Sequence, residues 1–350
     1  MASFIGSQNT FIASHEASGK LAIHYSRNVK DFPLNRYITM TPVKFSSGYY
    51  LRITPENAAR ILAANLNRHV WADGADRPKG SWNHERFTFV SFTTERVDFP
   101  FQLGYKGVEQ ASWQILAQYS AMAAQQAMTA RTRKVLEVAL TSGNYPSAHT
   151  STAAALVGGT LDSGTPQDPV LKEAINAVKR QILLSSLGAV KGKEIQMVIG
   201  PEMADRLGRS EEVHAYLKES PAALAQVRGD VPSQNGEWGL PDFIYGTPLV
   251  VEDTVIVTEK PNADDTAAIT TRLALDIATE NKVLFAARPG SLVSAAGGPN
   301  FSSIHMFAYE EMSVESKDDK DNRRHEGHVI EDYSVALVSP ISGYLITSAF

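Results

Sequence analysis

The sequence predicts an α+β protein, and three observations carry that expectation. Residues 108–140 contain no Gly or Pro and are rich in Ala, Gln, Met and Leu, the composition of a long helix. Residues 169–290 mix amphipathic helical stretches with short apolar runs bounded by Gly and Pro, the pattern of buried strands beside helices. Residues 304–350 read mostly as strand. With 43% hydrophobic and 20% charged residues in 350, the chain has the composition of a folded globular protein and ample length for a core.

Residues 1–36 are polar, with isolated apolar residues (Phe4, Ile5, Phe11, Ile12, Leu21, Ile23) and no sustained period, so they read as an arm that orders when laid on something else. Residues 37–53 carry a strand-like mixture of β-branched and aromatic side chains. Thr54, Pro55 and Glu56 then open a short helix with Ala59, Ile61, Leu62 and Leu66 on its apolar side. Beyond a turn-rich loop at 72–81, residues 85–103 read as one long strand. Phe87, Phe89 and Phe99 share one face of it by the two-residue period, and Thr88, Thr94 and Arg96 lie on the other. That is more aromatic surface than a lone strand leaves in water, so the face is expected to meet a neighbour.

The helix at 108–140 would span roughly 50 Å at about 1.5 Å per residue, with Ile115, Tyr119 and Met122 and the row Leu116, Ala123, Ala127, Ala130 on its apolar side. A second helix at 170–187 carries the stripe Leu171, Ala174, Ile175, Val178, Ile182. Strands are expected at 194–199, 243–258 (interrupted near Gly246 and Pro248), 272–277 and 282–287, with short helices at 202–208 and 210–218. The last strands are expected at 304–314, 329–338 and 344–347, with 315–327 as a charged loop. No internal repeat is evident.

Several function classes are disfavoured. With 33 Lys and Arg against 38 Asp and Glu, the formal charge is −5, and no basic block suggests a dedicated grip on nucleic acid. Zero cysteines exclude disulfides, thiolate zinc sites and cysteine nucleophiles. There is no secretory leader pattern and no apolar run of membrane-spanning length, so assembly in a cytoplasm without membrane contact is expected. G-x-S-x-G, H-E-x-x-H, P-loop and G-x-G-x-x-G patterns are missing.

Partial matches have ordinary explanations. His325, Glu326 and His328 lack a clear third metal ligand and read as solvated loop residues. Asp318, Asp319 and Asp321 interleave with Lys317, Lys320, Arg323 and Arg324, which suits a neutralised hairpin tip. Arg228-Gly229-Asp230 spells an adhesion tripeptide but suits a turn, and the GAVKGK run at 188–193 lacks the following Ser or Thr of a phosphate loop. No catalytic, cofactor or metal residue is therefore assigned.

Four stretches carry a resemblance: FPFQLGYKGVEQ before the long helix, LPDFIYGTPLVVEDT, VLFAARPGS, and the closing EDYSVALVSPISGYLITSAF. With the order of elements around them, they make the chain similar to the major capsid proteins of tailed bacteriophages, whose fold also serves the herpesvirus capsid floor and encapsulins. The resemblance implies an N-terminal arm (1–36), an extended loop region (37–107), a peripheral domain (108–168 and 304–339) with its spine helix at 108–140, and an axial α/β domain (169–303 and 340–350). It implies a structural protein, not an enzyme, that assembles with itself into hexamers and pentamers of an icosahedral virion shell around double-stranded DNA. A separate scaffolding protein and a portal are implied partners, a decoration protein is left open, and no cofactor is implied. The extended loop would place Phe87, Phe89 and Phe99 on a neighbour, as the arm would Phe4, Phe11 and Ile23, and it holds Lys44 and Lys79. An encapsulin-type compartment shell and an α/β enzyme without a motif are the rival readings.

Overall fold

The computed structural model describes residues 27–52, 73–74, 76, 88–111, 114–258, 270–275, 281–290 and 302–350. Two short 3₁₀ turns, Val29–Asp31 and Pro33–Arg36, lead into β1 (Ile38–Pro42) and β2 (Ser47–Arg52). After β3 (Thr88–Thr93) and β4 (Glu95–Gly104) come helices α1 (Tyr105–Gln110) and α2 (Ile115–Ala139), then β5 (Thr150–Thr152) and α3 (Ala153–Val157). The middle holds α4 (Val170–Ser185), β6 (Ile195–Ile199), α5 (Pro201–Arg209), α6 (Glu211–Glu219) and α7 (Pro221–Arg228). Strands β7 (Phe243–Ile244), β8 (Thr247–Val251), β9 (Val255–Thr258), β10 (Thr270–Leu273) and β11 (Lys282–Ala287) follow. The chain ends with β12 (Ile304–Asp319), β13 (Arg324–Leu337) and β14 (Tyr344–Thr347).

One sheet has the order β5-β14-β11-β6-β8-β7. Its central strands are short continuous apolar runs because both faces are covered. Ile195, Met197 and Ile199 of β6 face the α4 stripe Leu171, Ala174, Ile175, Val178 and Ile182, together with Met203, Leu207 and Val213 of α5 and α6. Val198, Val250, Leu284 and Leu345 point the other way, into a core shared with Met128, Val135 and Leu136 of α2 and with Ile304 and Met306 of β12. That second core joins this sheet to a four-stranded one of order β1-β12-β13-β4, in which β1 runs parallel to β12 and the other neighbours are antiparallel. Two further ribbons, β2–β3 and β9–β10, are two-stranded.

Several expectations are corrected. The helix read at 108–140 is two helices, because Ala111 takes an extended backbone (φ −72°, ψ 131°) after α1. The turns of α1 belong to the end of β4: the Tyr105 amide donates to Arg323 O at 3.0 Å, and its ring lies 4.6 Å from that of His325. The 25 residues of α2 span roughly 37 Å. Its buried face is also narrower than read, since Tyr119 and Met122 are exposed while Ala123 and Ala127 are buried. Those small side chains let the rings of Phe99 and Phe101 approach the helix, and Val329 completes the contact.

The long strand read at 85–103 is two strands, broken at Thr94, where the amide and hydroxyl both donate to Ser46 O, at 2.7 and 3.2 Å. Residues read as a charged loop at 315–327 mostly extend a long hairpin, with Asp319 paired to Arg324 across its tip. The arm ends earlier than residue 36. Phe32 and Leu34 are buried, and Tyr37 OH donates to Glu252 at 2.6 Å. Arg27 meets Asp253 at 2.7 Å, so residues 27–37 are tied to the body of the chain through this pair and through Phe32, Leu34 and Tyr37. The helix expected after Thr54 lies outside the described residues.

His305 supplies a pH-dependent contribution to this core. Its Nε2 accepts from the Ser302 amide at 3.2 Å and its Nδ1 is 3.0 Å from Thr41 Oγ1, so the ring is neutral with its proton on Nδ1. Burial lowers its pKa from 6.5 to about 4. The unfolded chain therefore binds the extra proton first, and the stability contributed by neutral His305 is present above pH 6.5 and lost as the pH falls toward 4. At about 1.4 kcal/mol per pH unit this amounts to about 3–4 kcal/mol. Urea midpoints for wild type and His305→Gln should converge between pH 7 and pH 4.5, and parallel pH profiles would refute the assignment.

Candidate association surfaces

The β2–β3 ribbon projects from the four-stranded sheet on an aromatic anchor. By the alternation of the strands, Tyr50 and Phe92 lie on its inner side, where their rings stack on Phe307 at centroid distances of 5.5 and 4.4 Å. Gly48 pairs with Phe92 across the ribbon, and a Cβ at Gly48 would stand 2.9 Å from the Phe92 ring, so glycine is what lets the ring lie over the backbone. The outer side carries Tyr49, 75% exposed, and Phe89, 62% exposed, with Phe45 at the turn before β2 at 74%. Lys44 is exposed beside them. Tyr49 on the ribbon and Phe45 beside it are large aromatic side chains exposed to water, a surface suited to a partner.

Of the six residues expected to make intersubunit contacts, the described residues include Phe89 and Phe99, which lie on different elements. Phe4, Phe11, Ile23 and Phe87 lie outside the described residues, as does Lys79. Phe89 is on the ribbon's outer face. Phe99 is half-buried against Ala123, Ala127 and Val329 of its own chain. The shared face expected for Phe89 and Phe99 fails because Thr94 breaks the strand: β3 pairs with β2, whereas β4 pairs with β13. Among the described residues, strand β4 is thus an edge of its own sheet and packs on α2. Phe45 and Tyr49, which the sequence reading treated as ordinary strand residues, are the ones the ribbon exposes. Their alternation with Tyr50 was the available signal.

Several polar and charged side chains of the β12–β13 hairpin are paired within the chain. His325 Nδ1 is 2.5 Å from Asp318, His328 Nδ1 is 2.9 Å from Asp98, and Arg324 contacts Asp319 at 3.1 Å and Glu326 at 2.5 Å. Positions 325 and 328 fall on opposite faces of β13, so the two imidazoles cannot share an ion. Among the described residues, no three His, Asp or Glu side chains gather to hold a metal. Arg228-Gly229-Asp230 ends α7, with Gly229 in the left-handed conformation (φ 81°) that closes the helix.

Two buried charged centres lock elements together. Arg131 of α2 reaches Glu331 of β13 through Nε at 3.2 Å and through a second, closer contact from Nη2, and both side chains are buried. Lys134, one helical turn on, holds Glu95 of β4 at 2.5 Å. Glu252, buried between the sheets, accepts from Tyr37 and, at 2.5 Å, from the Thr254 hydroxyl; burial pushes its pKa up against those hydrogen bonds. Their geometry is that of fasteners between elements.

No protein-family model matches the chain, and no curated protein is similar to it in sequence. Solved structures are similar. A phage-related protein from Bordetella bronchiseptica is 14% identical with a TM-score of 0.55, over 95% of this chain and 96% of the other. The capsid structure of the cyanophage P-SCSP1u is 11% identical with a TM-score of 0.52, over 93% of this chain and 89% of the other. The chain therefore has an α+β fold similar to that of the phage-related protein and the cyanophage capsid structure.

Proposed function

We propose that the chain is the major capsid protein of a tailed phage: a structural protein whose copies close an icosahedral virion shell of hexamers and pentamers around double-stranded DNA, assembled in the host cytoplasm with a scaffolding protein and a portal. The observation that carries this reading is the β2–β3 ribbon, which exposes Phe45, Tyr49 and Phe89 on a chain with a capsid-protein fold. Aromatic anchors of this kind supply most of the energy of a protein interface, and many copies of one such contact close a shell. In this reading the four-stranded sheet with α2 is the peripheral domain and the six-stranded sheet with its helices the axial domain. The work of the fold is association, to which the internally paired charges and the aromatic ribbon are suited.

Sedimentation and negative-stain microscopy of the purified full-length chain test the proposal. Fast-sedimenting closed shells are expected, and a small, defined oligomer with no shells under any assembly condition would overturn it. A second expectation concerns residues 1–26, which carry Phe4, Phe11 and Ile23. Phe4, Phe11 and Ile23 could each bury a side chain on a neighbour for about 1.5–3 kcal/mol. Deleting 1–26 should leave the urea midpoint within about 1 kcal/mol of wild type while shell yield collapses. Normal shells from the truncated chain would remove the arm from the assembly contacts.

A further inference from the structure

Between the C-terminal end of α2 and the β9–β10 ribbon lies a cleft of about 420 Å³ whose charged lining is mostly basic. Arg133 comes from α2, Arg272 from β10 and Lys282 from β11, and Glu137 is the one acidic residue among the lining side chains. Lys282 Nζ donates to Leu140 O at 3.2 Å, which fits an ammonium at a helix C-terminus and accounts for that lysine within the fold. The two guanidinium groups have no such explanation. Among the described residues, neither has a carboxylate within ion-pairing distance, although Glu137 is one helical turn from Arg133. In a chain of net charge −5, two exposed guanidiniums beside an ammonium form a local concentration of positive charge.

We infer that this cleft binds a phosphate group, with Arg133 and Arg272 as its clamp. Guanidinium forks match phosphate oxygens through paired, charge-assisted hydrogen bonds. Cations here approach from three walls. A tetrahedral phosphate can meet donors from several directions, whereas a carboxylate offers two oxygens in one plane. Two sources carry the same chemistry, a free phosphate-type anion and the phosphodiester backbone of a nucleic acid. Glu137 opposes either of them, and this fixes the sign of one variant's effect.

The test uses the full-length, unassembled chain, so its outcome is independent of whether shells form. Inorganic pyrophosphate is titrated calorimetrically, and a short DNA duplex by fluorescence anisotropy over a series of salt concentrations, against wild type, R133Q/R272Q and E137Q. Both arginines are exposed, so the double variant should fold, which circular dichroism checks. Loss of the two forks should weaken pyrophosphate binding by roughly tenfold or more, and E137Q should strengthen it. If the duplex is the source, the slope of log affinity against log salt should also become shallower by about 2 in the double variant. A response to pyrophosphate alone supports a free anion as the ligand. Equal binding of both probes to wild type and R133Q/R272Q, no binding of either to wild type, or weaker binding to E137Q would overturn the inference.

Discussion

Replacing Arg131 by Met should destabilise the protein by about 3–5 kcal/mol, the cost of leaving a buried carboxylate without its partner. Both members of the pair are almost completely inaccessible, with side-chain exposures of 5% for Arg131 and 1% for Glu331. Glu331 Oε1 has no hydrogen-bond partner, so the pair is satisfied mainly through the arginine. Burial pushes the Glu331 carboxyl up, and Arg131 and Lys134 pull it back down. With the arginine gone, the upward push dominates and the carboxyl takes a proton at higher pH. The deficit of R131M should therefore shrink as the pH is lowered. The double variant R131M/E331L removes both charges and should recover most of the loss, since apolar side chains can replace a buried pair with little penalty. Urea midpoints at pH 7 and pH 5 measure all three effects. An R131M protein within about 1 kcal/mol of wild type, or a double variant worse than the single one, would show that the pair is not what fastens α2 to β13.

What was legible in the sequence follows from how completely a segment's surroundings are local. Strands β6, β11 and β14 were read almost to the residue, because both of their faces are buried and a short apolar run bounded by Gly, Pro or polar residues has few other readings. The stripe of α4 was equally plain, and all five of its residues are buried. The break before α2 was not legible: no Gly or Pro marks it, and α1 is held by the hairpin tip through Tyr105 and Arg323, a contact more than 200 residues away in sequence. The same applies to Thr94, whose strand-breaking bonds go to Ser46. The outer arms of the β12–β13 hairpin looked like a loop because residues 315–326 are exposed or half-exposed on both faces, so they carry no alternation. At the association surface, aromatic residues in a strand signalled that something covers them, but whether that is the chain's own α2, as for Phe99, or a partner, as proposed for Phe89, depends on which sheet each half of the broken strand joins.

That distinction predicts the outcome of placing a charge on the ribbon. Phe89→Asp should leave the subunit folded and abolish shells. Phe89 is 62% exposed, so an aspartate there reaches solvent in the isolated subunit. The anchor that orients the ribbon, Tyr50 and Phe92 on Phe307, is on the opposite face and stays intact. In an interface the same aspartate would be an unpaired charge where an aromatic ring was, and loss of such an anchor costs about 2 kcal/mol or more per contact. Every subunit in a shell would bear that cost, so the defect multiplies over the assembly. Tyr49→Asp, on the same face, should behave alike. Phe99→Asp should instead unfold the region around α2, because Phe99 packs on Ala123 and Ala127. Circular dichroism beside sedimentation separates the cases: native spectra without fast-sedimenting material for the two ribbon variants, and a lost midpoint for Phe99→Asp. Intact shells from Phe89→Asp and Tyr49→Asp would mean that the outer face of the ribbon meets no neighbour, and the contacts that close the shell would have to lie elsewhere.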